Sequence, residues 1–126
     1  MVKTKKYGTP FYLHFIKAQA RTLSIDELEL IFQKHPELFE GNPFIRELAY
    51  VEYFINECKK KVNMETFNTI FNLLLKSKNG TNNDWQFFDI AVASKNVEII
   101  KKCKKVIRSA HIHKEINICL KILTHE

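Results

Sequence analysis

Glycine and proline are scarce, with three of each in 126 residues. Average usage is about 7% and 5%, so the shortage argues against turn-rich β folds and against glycine loops that cradle phosphates. Helices are the expected default. No run of eighteen apolar residues occurs that could cross a bilayer as a helix, and Met1 to Arg21 lacks the uninterrupted apolar stretch of an export signal. A cytoplasmic location is the expectation. Cysteine is limited to Cys58, Cys103 and Cys119. That odd count fits no disulfide framework, and each thiol falls at an apolar helical position, where burial raises its pKa and keeps it inert. Arginine is rarer still relative to its partner cation, three against seventeen lysines. Base-edge and bidentate phosphate recognition favour arginine, so specific DNA reading is not supported.

Catalytic constellations are missing as well. There is no Gly-x-Ser-x-Gly elbow, phosphate loop, dinucleotide fingerprint or His-Glu-x-x-His. His111 and His113 lie between Cys103 and Cys119 but form none of the paired-ligand spacings that zinc sites use, so neither metal nor cofactor is expected. Asp26, Glu27 and Glu29 resemble a reactive cluster only superficially, because carboxylates in a first helical turn serve capping and the helix dipole. The chain is expected not to be an enzyme.

What is present is a large apolar content, 45% of residues, including ten Phe, four Tyr and one Trp. That suffices to offset the entropy of ordering one core, and the length suits a single helical domain over residues 1–126 with a flexible basic stretch at residues 1–9. Start and stop signals divide the chain. A first helix is expected from Pro10 to Thr22, and a second, after the capping box Ser24-Ile25-Asp26-Glu27, to about Pro36. A turn at 36–40 closed by Gly41 precedes a third helix, capped by Asn42 with Pro43 in its first turn, that continues to about Lys61. Asn63 caps a fourth, Met64 to Lys78, ended by Asn79-Gly80. A fifth opens at Asp84 and is apolar on nearly every side over 84–94, which marks it as buried and central. Asn96 caps a sixth, Val97 to about Ala110, and a seventh covers Lys114 to Thr124. The fold expected is all-α, a compact array of six or seven short antiparallel helices around the one at 84–94.

The segment Phe88-Asp89-Ile90-Ala91-Val92-Ala93-Ser94-Lys95-Asn96-Val97-Glu98-Ile99-Ile100-Lys101 is similar to the helix-turn-helix core of an ankyrin repeat. The likeness spans about half a repeat, with Lys95 near the family's inter-helix glycine, without the Thr-Pro-Leu-His opening and with no 33-residue period. It implies stacked antiparallel helix pairs.

Charge is unevenly spread. Residues 1–23 hold five cations and no anion, residues 24–57 two cations and eight anions, and residues 58–126 thirteen cations and six anions. The acidic middle suits complementary docking or self-association, or an internal balance with no partner. The run Lys101-Lys102-Cys103-Lys104-Lys105-Val106-Ile107-Arg108 projects Ile99, Ile100, Cys103, Val106, Ile107 and Ala110 onto one helical face and its cations onto the other. Such a face meets phosphates or an acidic protein surface, with Lys78, Lys95 and Lys114 as outlying contacts; the plainer reading is a solvated lysine face. Tyr50 and Tyr53 flank the apolar stripe of the third helix, where a flat ring with a polar tip either anchors a partner or packs beside the core. The expectation is a protein-binding domain, an adaptor or small regulator or inhibitor of a larger protein. Tyr50, Tyr53, Lys101, Lys104, Lys105 and Arg108 are its contact candidates, an acidic protein its partner, and homodimerisation is compatible with it. The alternative is a nucleic-acid-associated protein using the lysine face of 97–110.

Overall fold

Ser24, Asn63 and Asn96 cap helices where the sequence places them. In the computed structural model, which describes residues 13–77 and 83–124, eight helices and no strands are found among the described residues. The basic stretch at 1–9, the helix start at Pro10 and the stop at Asn79-Gly80 lie outside them. α1 covers 13–20 and buries Ile16 and Ala20, one turn apart. α2 (Ile25–Lys34) opens on a complete capping box. Ser24 Oγ accepts from the Glu27 N–H at 3.1 Å and Glu27 Oε1 from the Ser24 N–H at 2.8 Å. A cap of this kind contributes about 1 kcal/mol. Pro36 then disfavours helix at the preceding residue, and α2 stops at Lys34.

The expected turn at 36–40 coils into one helical turn, α3 (Leu38–Gly41), because Leu38 and Phe39 have core to cover. Asn42 Oδ1 accepts from the Phe44 N–H at 2.9 Å. This turn brings the chain into α4 (Ile45–Glu57), whose first residue comes three after Asn42. α4 ends four residues short of the expected Lys61. Hydrogen bonds from the Lys59 and Lys60 N–H groups back to Asn56 and Glu57 form turns there, freeing three adjacent lysines to solvent. Asn63 Oδ1 takes the Glu65 and Thr66 N–H groups at the head of α5 (Met64–Lys76).

α6 (Asp84–Ser94) packs against α4, α5, α7 and α8, so the expected central helix is central. It is not enclosed on every side. Phe87, Ile90 and Ala91 are buried, whereas Trp85 is 57% exposed and Val92, two turns on, is exposed too. Rings at successive levels join the helices: Phe54 to Phe67 at 6.0 Å, Phe67 to Phe71 at 5.3 Å and Phe71 to Phe87 at 5.3 Å between centroids. These edge and tilted contacts link α4, α5 and α6 in one continuous core.

α6 ends at Lys95, in the left-handed region with φ 51°. Ser94 Oγ, donating to Ala91 O at 2.7 Å and accepting from the Asn96 N–H at 3.1 Å, braces this corner. Asn96 Oδ1 accepts from the Ile99 N–H at 3.0 Å and starts α7 (Val97–Val106).

The largest departure from the sequence expectation follows. α7 stops at Val106 instead of Ala110, Ile107 is extended and buried, and α8 (Ala110–Thr124) begins four residues before Lys114. Asp84 is the cause. Only 3% exposed, it points Oδ2 at the backbone N–H groups of Arg108 (3.2 Å) and Ser109 (3.0 Å), which in a continued α7 would bond within the helix. Ser109 Oγ accepts from the Ile112 N–H at 3.3 Å, and His113 Nε2 donates to Ile107 O at 2.6 Å. Asp84 heads α6 as expected, but the helix end its Oδ2 serves is a distant one.

Asp84→Ala should lower the unfolding free energy in urea by about 2–3 kcal/mol, since two sheltered N–H groups lose a charged acceptor. Asp84→Asn should cost less, and an unchanged midpoint in Asp84→Ala would show the corner to be self-supporting.

Candidate functional site

α7 turns Ile99, Ile100 and Cys103 wholly inward, so its remaining side chains are its outer face. The structure splits the expected basic set. Lys101 and Lys105 are exposed on the side toward α5, where with Lys102 they rim a groove of about 570 Å³ over Met64, Phe67 and Phe71. Lys102 is held in place: its ammonium sits 5.1 Å from the Phe71 ring centre and 5.7 Å from that of Phe67, and donates to Asn68 Oδ1 at 3.4 Å. Lys104 turns the other way and donates to Asn117 Oδ1 of α8 at 2.6 Å. Arg108 lies beyond the end of α7, exposed beside His113 and Lys114 in a shallow hollow. Of the outlying lysines, Lys114 thus joins Arg108, Lys95 is at the exposed α6–α7 corner, and Lys78 is outside the described residues.

None of the three ion pairs among the described residues involves α7. Among the described residues, Lys102 meets an amide and two aromatic rings, Lys104 meets an amide, and Glu98 is the one carboxylate on the groove wall. Of the groove residues, Met64, Phe67, Phe71, Glu98 and Lys102 were not among the contact candidates. The first three are readable as one apolar stripe, with Met64 about one turn before Phe67; the part of Lys102 is readable only once α5 is known to face α7.

The tyrosines are placed differently from expectation. Tyr50 is 6% exposed, and its hydroxyl donates to Glu29 Oε2 at 2.5 Å, the same oxygen that takes Arg46 Nε at 2.8 Å. Burial first, and then the Glu29 carboxylate, hold the phenol far above its ordinary range. Arg46 in turn lies over the Phe32 and Phe39 rings, 5.4 and 5.1 Å from their centres. Tyr50 is therefore part of the α2–α4 clasp and has no free ring face to anchor a partner. Tyr53 is half-buried and reaches Glu57 Oε2 at 3.4 Å; burial, then Glu57, raise it as well.

Reactive groups are not assembled on this surface. Burial pushes the Cys103 thiol up to about 12, against the opposing pull of Lys102, and the Cys58 thiol up to about 11, with Glu57 adding to the rise. Among the described residues no group of three or more His, Cys, Asp or Glu side chains is placed to hold a metal. No helix among them is long and apolar enough to cross a membrane.

No protein-family model matches the chain, and neither a curated protein nor a solved structure matches it.

Tyr50→Phe should destabilise the fold by about 1–2 kcal/mol, through the lost charged hydrogen bond, while leaving the affinity of any α7 partner unchanged. A thermal or urea melt paired with a binding isotherm checks both halves. At pH 8, iodoacetamide should alkylate Cys103 about 1,000-fold more slowly than an ordinary cysteine, from its thiolate fraction alone. Denaturation should abolish the difference, and fast labelling of the native chain would contradict it.

Proposed function

We propose that this chain is a non-enzymatic protein-binding domain, an adaptor or small regulator or inhibitor, whose α5–α7 groove receives an acidic segment of a partner protein. The observation that carries the reading is the pairing of an apolar floor, the exposed Met64 beside the buried Phe67 and Phe71, with a rim of Lys101, Lys102 and Lys105 that takes part in none of the ion pairs among the described residues. Apolar residues of a bound segment would displace water from the floor, and its carboxylates would meet the ammonium rim. Lysine suits such a contact because a point charge on a flexible stem does not demand the planar geometry that arginine reads.

The lysine face also has the sign to attract a nucleic acid, but two features favour protein. Phosphate backbones gain nothing from a methionine and phenylalanine floor, and the rim contains none of the three arginines. The raised thiols and scattered histidines support a binding role over a catalytic one. Lys104 and Arg108, on the α8 side, extend the same positive field and steer the approach of an acidic partner without lining the groove.

Affinity purification of the tagged chain from its native cells, followed by mass spectrometry, should recover a protein with an acidic segment. Lys101→Glu with Lys105→Glu should weaken that complex at least tenfold, and raised salt should weaken the wild-type complex in the same direction. Recovery of nucleic acid in place of protein, or full retention of the partner by the double variant, would overturn the assignment.

A further inference from the structure

A second cleft, of about 390 Å³, lies away from the lysine groove, between the first turns of α4 and of α6. Phe44, Leu48 and the exposed Trp85 form its apolar walls, and Glu47, Asn83 and Asp89 its polar ones. Trp85 is steadied by an edge-on contact with Phe88, ring centres 5.6 Å apart at 87°.

The hydrogen-bond inventory of this cleft is one-sided. Asn83 is 5% exposed, and its Nδ2 donates to Leu74 O at 2.8 Å. That bond fixes the amide, because the flipped form would set oxygen against oxygen. Asn83 Oδ1 is then left buried with no donor, and so is Glu47 Oε1. Of the donors nearby, Ser77 Oγ also goes to Leu74 O, at 3.1 Å, and the Asn42 and Gln86 amides, which line the same cleft, reach neither oxygen. A buried acceptor without a donor costs about 1–3 kcal/mol, and a charged one more. The walls thus combine unpaired acceptors, two carboxylates and the Trp85 indole; no cation from the described residues is on the lining, and Lys17, near Asp89, offsets part of the rise that burial gives that carboxyl.

We propose that this cleft binds a lysine or arginine side chain of a partner segment. The cationic head goes to Glu47 and Asn83 Oδ1, and the aliphatic stem lies against Trp85 and Leu48. An ammonium or guanidinium supplies donors and no acceptor, which suits two buried oxygens that no neighbouring donor reaches. Neither oxygen is in contact with bulk solvent as the side chains stand, so entry takes a rotamer change at Glu47, which projects from the first turn of α4 and moves without its backbone. A peptide-borne side chain is favoured over a free amine because the cleft is open to solvent on the Trp85 side, where the rest of a segment can pass.

Trp85 is the only tryptophan in the chain, so emission excited beyond the tyrosine absorption band reads this cleft. The full chain is titrated, at constant ionic strength, with N-acetyl-lysine methylamide, its arginine counterpart, butylammonium, and the uncharged isostere N-acetyl-norleucine methylamide. The expected result is a saturable emission change with the two blocked cations and none with norleucine, and an at least tenfold weaker response in Glu47→Gln. Asp89→Asn should weaken the response in the same direction. An equal response to norleucine, no saturable change with either cation, or wild-type binding by a folded Glu47→Gln variant would overturn the site. Tighter binding of butylammonium than of blocked lysine would overturn the side-chain occupant.

Discussion

One carboxylate holds the C-terminal half of this protein in shape. Asp84, buried at the head of α6, takes the backbone N–H groups of Arg108 and Ser109 and so decides where α7 stops and α8 turns. Without that acceptor, α7 has the apolar periodicity to run on to Ala110. With it, Ile107 drops into the core and α8 folds back against both α6 and α7. The place of Arg108, apart from Lys101 and Lys105, follows from this junction, whereas Lys104 is set apart by the helical period alone. A charge that is expensive to bury becomes favourable when fixed backbone donors surround it.

The N-terminal half is held by a different device. Glu29 gathers Tyr50 and Arg46 to one oxygen, Arg21 pairs with Glu52 at 3.0 Å, and Asn56 donates to Arg21 O at 3.0 Å. Part of the acidic middle of the sequence is thereby used inside the molecule, between α1, α2 and α4. The lysines of α7 take part in none of the ion pairs among the described residues. Net charge therefore misleads here: lysines rim the groove between α5 and α7, while a cleft lined by Glu47 and Asp89 opens elsewhere on the same chain. A molecule with oppositely signed recesses is suited to bridging or to orienting a partner along its own charge gradient.

How much of this was legible depended on distance along the chain. Ser24, Asn63 and Asn96 cap where the sequence says they should, because a cap and its recipient N–H are two or three residues apart. Asn42 acts one turn early for an equally local reason, its bond to the Phe44 N–H. Asp84 and its recipients are 24 and 25 residues apart, Tyr50 and Glu29 are 21 apart, and no local pattern announces either bond. The all-α class and the central place of α6 were readable from composition and periodicity. Which side of α6 stays bare was not, since Trp85 and Val92 look like core until the neighbours are in place. The lysine face was readable as a face, but its groove was not, because the floor comes from α5.

Lys95 adds a consequence about stiffness. A residue with a β-carbon in the left-handed region costs about 1 kcal/mol relative to glycine, yet it also has fewer alternatives to sample than glycine would. The joint between α6 and α7 is therefore a poor hinge. Motion that would swing the lysine face about this corner is suppressed before any partner arrives, so an incoming segment meets a surface with little orientational freedom left to lose.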